Sequence, residues 1–103
     1  MVQLTIVIKP FRAEAVIQAL ADLDIHSIVV REVKGYSRQK NYLNRYLGSE
    51  YSMAFLPKVE ITLCVSEEQL DAVTDLVART ARTGRMGDGK IFVLPLQGEV
   101  IEF

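Results

Sequence analysis

The sequence has one cysteine, one histidine and no tryptophan in 103 residues. A lone Cys64 excludes an intrachain disulfide framework and any cysteine-rich zinc site. His26 has no partner at metal-ligand spacing and reads as a surface or packed histidine. An excess of either charge is also lacking. With 12 Lys+Arg against 13 Asp+Glu, the chain has no general pull toward nucleic acid or an anionic membrane. No run approaches the ~20 apolar residues of a membrane span. The opening Met-Val-Gln-Leu-Thr lacks the charged-then-apolar layout of a signal peptide. No Ser-His-Asp, Cys-His or paired-carboxylate constellation stands out, since Asp71 and Asp75 are spaced like many solvated pairs, so an enzyme is not indicated. The expectation is a soluble, cytoplasmic protein.

What is present is ordinary globular material, half apolar and about a quarter charged, in a length that suits one domain over residues 1–103. A chain of this size buries roughly two-thirds of its unfolded surface, enough for a core without staples. Val2, Leu4, Ile6 and Ile8 alternate with Gln3, Thr5 and Val7, the period of a strand ending at Pro10. Ala13, Val16, Ile17, Leu20 and Leu23 recur at helical spacing, predicting a helix over Phe11–Asp24. Ile28–Val33 is β-branched and predicts a second strand running toward Gly35. Val59, Ile61, Leu63 and Val65 repeat the alternation in a third. Ser66 and Gln69 form a capping box ahead of a second helix with the stripe Leu70, Val73, Leu76, Val77 and Ala81. A last strand is expected over Lys90–Leu96, and the tail from Gly98 to Phe103 alternates weakly, as an edge strand would. The order β-α-β, long insert, β-α-β is an α+β, ferredoxin-like split βαβ arrangement, with two helices on one face of a four-stranded antiparallel sheet. Thr5, Val7, Thr62 and Cys64 leave the open face half apolar, which predicts burial against other subunits.

Two segments carry chemistry. The insert from Ser37 to about Phe55 is too long for a simple connection, and structureless loops of that length are usually functional. Tyr36, Tyr42, Tyr46 and Tyr51 lie in or beside it with Arg38, Lys40 and Arg45, which suits a recognition surface. A long hairpin with mutually packed tyrosines is the alternative. The second segment is Thr-Gly-Arg-Met-Gly-Asp-Gly-Lys, residues 83–90, whose glycines let backbone amides approach an anion while Arg85 and Lys90 add charge. It is a poor Walker motif, because Ile91 stands where Ser or Thr is required and a strand follows. On its own it fits a phosphate loop or a helix-to-strand turn equally. Cys64, alternating within a strand, reads as a small buried residue rather than a nucleophile.

Several motifs together resemble the PII nitrogen-regulatory signalling proteins. They are Ile8-Lys9-Pro10-Phe11, Glu32-Val33-Lys34-Gly35, Gly35 through Lys40, Gly48-Ser49-Glu50-Tyr51, Phe55-Leu56-Pro57-Lys58 and Thr83 through Val93. The match runs without gaps to about Pro95. The resemblance implies a homotrimer of ferredoxin-like subunits with open sheet faces turned inward. The insert would be the T-loop (about 37–55), which docks onto a partner metabolic enzyme, transporter or regulator. Residues 82–90 would be the B-loop, holding ATP or ADP between subunits, with residues 97–103 as the C-terminal tail.

Residue by residue, the resemblance puts Gly87, Asp88, Gly89 and Lys90 on the phosphates and Gly35, Tyr36, Ser37 and Arg38 along the same cleft. Val7 and Cys64 would flank the adenine. Gln39 would ligate Mg²⁺ through its amide oxygen, as a hard cation wants. Lys58 would pair with a carboxylate of 2-oxoglutarate, assisted by backbone amides from Ser37 to Asn41, Lys40 included. Tyr51 matches a tyrosine that some members have uridylylated.

The departures matter. The family carries two arginines that reach a neighbouring subunit's phosphates, and Ile101 and Phe103 occupy those places here. Two missing cations weaken ATP more than ADP or AMP, because the terminal phosphate has most charge to neutralise. Ser27, Ser37 and Asn41 stand where glycine is common, and Val29 where threonine is. Tyr42 and Leu47 replace a histidine and an arginine. Besides a PII-type sensor, the residues therefore leave open a divergent PII-like sensor of ADP, AMP or another small metabolite, and a structural trimer acting as an adaptor.

Overall fold

The computed structural model describes residues 1–25, 27–36 and 55–103. The elements in chain order are β1 (Val2–Ile8), α1 (Pro10–Ala21), β2 (Val29–Tyr36), β3 (Phe55–Val65), α2 (Leu70–Ala81) and β4 (Gly89–Pro95). The strands form one antiparallel sheet in the order β2-β3-β1-β4, the ferredoxin-like arrangement expected. Alternation dictates the layering. Val2, Leu4, Ile6 and Ile8 are buried while Gln3, Thr5 and Val7 between them are not, and their partners Val65, Leu63, Ile61 and Val59 across the ladder are buried too.

The helices close this face. Ala13, Val16 and Leu20 of α1 meet Val73, Val77 and Ala81 of α2 over the sheet in one core. Ile17, Leu23 and Leu70 pack against its margin, and Leu76 is only half-buried. Among the described residues no helix is long and apolar enough to cross a membrane.

The ends of the elements show where local chemistry acted. Pro10 does not merely stop β1 but opens α1 at its first position, where its fixed φ and missing N–H cost nothing. The α1 helix ends at Ala21 rather than Asp24, because the Leu23 N–H returns to the Leu20 carbonyl at 3.1 Å and begins a turn. The Ser66–Gln69 box forms as expected: the Ser66 N–H donates to Gln69 Oε1 at 3.1 Å and the Gln69 N–H to Ser66 Oγ at 3.2 Å. The α-helix itself begins at Leu70, the residue after the box. Strand β3 starts at Phe55, four residues before the alternation that betrays it, with Leu56 opposite Gly35 and Pro57 opposite Lys34. Its pairing with β1 begins only at Val59, so Pro57 sits where β3 overhangs the central ladder.

The tail is a correction. Residues 98–103 form no strand. The amide of Leu96 still reaches the Met1 carbonyl at 3.2 Å, but beyond it Val100, Ile101 and Phe103 are exposed. Gly98 interrupts the pattern, and alternation alone cannot supply the neighbouring backbone a strand needs.

Candidate functional site

Strands β1 and β4 meet at one corner of the sheet, where Ile8 is paired with both Val59 and Gly89. The loop from α2 into β4 closes over that corner. Gly84 and Gly87 have φ of 85° and 80°, the left-handed region in which a side chain costs roughly 1–2 kcal/mol. Gly89 is needed for a different reason. A Cβ there would lie 2.9 Å from Ile8 Cγ2 and 3.1 Å from the Val7 carbonyl oxygen, so a side chain would wedge β4 away from β1.

Asp88 organises the loop. Its carboxylate accepts from the N–H groups of Thr83 (2.6 Å), Gly84 (2.9 Å) and Arg85 (3.2 Å), from the Thr83 hydroxyl, and from Lys9 Nζ at 3.1 Å. The Thr83 hydroxyl, with those amides and the lysine, holds the acid well below the usual carboxylate range against the opposing effect of burial. The negative charge of the loop is thus consumed internally.

Lys58 and Lys90, by contrast, have no carboxylate partner among the described residues. Lys58 lies on the open face, its stem against Gly35, where a Cβ would come within 3.1 Å of Lys58 Cγ. Among the described residues its ammonium makes one long contact, 3.5 Å to the Gly87 carbonyl. Burial lowers the Lys58 pKa, and the Lys9 and Lys90 charges lower it further, with Asp88 opposing. Lys90 is paired with Val7, and its ammonium stands 5.5 Å from the centre of the Phe92 ring. Three lysines therefore converge on a glycine loop whose one carboxylate is already bonded. An anion relieves that repulsion.

The expected site residues fall into three groups. Gly35, Lys58, Gly87, Asp88, Gly89 and Lys90 come together at this corner with Val7, and the backbone of Tyr36 ends β2 beside them. Cys64 does not join them within one copy. It is half-buried on the same open face but opposite Gln3 rather than Val7, four residues or about 13 Å along the strand. Ser37, Arg38, Gln39, Lys40, Asn41 and Tyr51, like His26, lie outside the described residues. Among the described residues no cluster of three acidic, histidine or cysteine side chains could hold a metal ion.

Sequence reasoning missed Lys9. The signal was its place directly after β1, since the strand that pairs with the start of β4 must deliver its next residue to the loop ahead of β4. The Thr83 hydroxyl was missed because only the folded loop turns it back on Asp88.

Comparison with known proteins bears on this geometry. The sequence model of the family described as Nitrogen regulatory protein P-II matches residues 1–101. The chain is 50% identical over 93 residues to the nitrogen regulatory protein GlnK of Escherichia coli (strain K12), covering 90% of this chain and 83% of that protein. It is 48% identical over 87 residues to the nitrogen regulatory protein P-II of Klebsiella oxytoca, covering 84% and 78% of the two chains. The same identity over the same length relates it to P-II 1 of Escherichia coli (strain K12).

Proposed function

This chain belongs to the nitrogen regulatory protein P-II family, and from that premise we propose that it is a signalling protein reporting adenine-nucleotide state. It acts as a homotrimer with the open sheet faces inward, where Val29, Phe92 and Leu94 are otherwise exposed. ATP and ADP compete for the clefts between neighbouring copies. Gly87, Asp88, Gly89 and Lys90 take the phosphates, with Lys90 supplying charge and Asp88 holding the loop in shape. Gly35, Tyr36, Ser37 and Arg38 line the cleft. Val7, beside Lys90, borders the base, and Cys64 meets only a ligand that extends across the open face. Mg²⁺ bound through the Gln39 amide oxygen would bridge phosphate and 2-oxoglutarate. Lys58 pairs with a carboxylate of that keto acid, with Lys40 and Asn41 adding amides. Residues 37–55 are the output, docking on an enzyme, transporter or regulator of nitrogen or carbon metabolism. The protein is a regulator rather than an enzyme, in the cytoplasm.

The observation that carries this reading is the convergence of Lys9, Lys58 and Lys90 on a glycine loop whose only carboxylate is engaged by the loop itself. Exposed, apolar Ile101 and Phe103 favour one variant of it, a sensor of ADP or AMP without a 2-oxoglutarate response.

Calorimetric titration with ATP, ADP and AMP, then with ATP plus Mg²⁺ and 2-oxoglutarate, separates the two. Micromolar ATP binding with Mg-dependent 2-oxoglutarate binding is the expected result for the full sensor. ADP or AMP binding alone selects the variant, and no nucleotide binding overturns both.

A further inference from the structure

The three lysines at the corner are not chemically equal. Lys9 Nζ lies 3.1 Å from the Asp88 carboxylate, an ion pair that engages its charge. The Lys90 ammonium stands 5.5 Å from the centre of the Phe92 ring, a contact that also engages positive charge. Lys58 has neither. Its stem is held against Gly35, and among the described residues its Nζ makes only the 3.5 Å contact to the Gly87 carbonyl. Burial, then the Lys9 and Lys90 charges, push its pKa down against the pull of Asp88.

A neutral amine suits that contact as well as an ammonium does. It donates one N–H to the Gly87 carbonyl and keeps its lone pair for an electrophile. Partial burial beside other cations is what makes a lysine nucleophilic near neutral pH. The same cations decide which electrophile the corner collects, because it must carry a compact negative charge. An acyl phosphate meets both demands, since its carbonyl carbon is bonded directly to a phosphate oxygen.

We infer that Lys58 accepts acyl groups from small acyl phosphates that dock their phosphate on this lysine corner. The Lys58 nitrogen attacks the acyl carbon, the amide C–N bond forms, and the bond from that carbon to the phosphate oxygen breaks. Inorganic phosphate leaves with the electron pair beside Lys90 and takes up the proton that the amine gives away. The product is a neutral amide, so the corner loses one cation and holds nucleotide phosphates less well. The inference rests on the corner holding phosphate, but not on that phosphate belonging to a nucleotide.

The test treats the folded protein with acetyl phosphate and follows each lysine by peptide mass spectrometry. Lys58 should be acetylated about tenfold faster than Lys34, an exposed lysine on the helix side of β2. Acetic anhydride, an acyl donor without a phosphate, separates docking from reactivity. Lys90→Met should slow the acetylation of Lys58 by acetyl phosphate about tenfold and that by acetic anhydride far less. Circular dichroism checks that the variant is folded. Equal rates at Lys58 and Lys34, or an equal effect of Lys90→Met on both donors, overturn the inference. ATP titration of the same preparation keeps it apart from the nucleotide reading. ATP binding with equal rates at the two lysines overturns this inference alone. Fast, phosphate-dependent acetylation of Lys58 without ATP binding supports it and overturns the nucleotide reading.

Discussion

Asp88 stands in a loop that the sequence reads as an anion cradle, and a carboxylate there looks misplaced until its partners are counted. Backbone amides of residues 83–85, the Thr83 hydroxyl and Lys9 all donate to it. The acid is a positioning residue: it fixes where the glycine amides point. Because its folded pKa lies below the unfolded carboxylate value of about 3.9, its contribution to stability is full above that value and is lost as pH falls through the acid range. Thermal melts from pH 7 down to pH 3 should therefore show wild type losing more stability than Asp88→Asn over that interval. Parallel curves would contradict the assignment. This role was not legible in the sequence. The letters of 83–90 show glycines and charges but not which charge faces inward, and that depends on φ at Gly84 and Gly87 and on Lys9, far away along the chain.

At the scale of elements, β1 meets β4 closely at the site, and Gly89 is the residue that permits it. Gly89→Ala places a methyl against Ile8 and the Val7 carbonyl, and backbone cannot rotate away. We expect a loss of about 1–3 kcal/mol in denaturant unfolding, the usual cost of overpacking, together with weaker nucleotide binding, since β4 carries Lys90. Unchanged stability would mean the strands shift freely. Strands β1 and β3 and both helices were legible because each buries one side, so burial imposes period two on Val2–Ile8 and a helical stripe on Ala13–Leu20 and Val73–Ala81. The edges were less so. The β3 residues Phe55–Lys58 hold a proline and overhang β1, so no two-sided burial marks them. The 98–103 segment alternates without a neighbour to pair with, and a pattern without a partner is not a strand.

The whole molecule joins two surfaces: an open sheet face with exposed Phe92 and Leu94 and a cationic corner. The sequence indicated the first through Thr5, Val7, Thr62 and Cys64, and half of the second through Lys58 and Lys90. The central claim is that the lysine corner binds the phosphates of an adenine nucleotide. Its most direct test is the ATP affinity of Lys58→Met and Lys90→Met against wild type, with the unliganded melting temperature as control. Lys58 is held in a site that lowers its pKa through burial and like charge, so its removal should leave the unliganded protein as stable as before or more so. ATP affinity should fall by about tenfold or more for each lysine. ATP binding that is equally tight in wild type and both variants would contradict the account, because the cations would then be bystanders to whatever the loop holds.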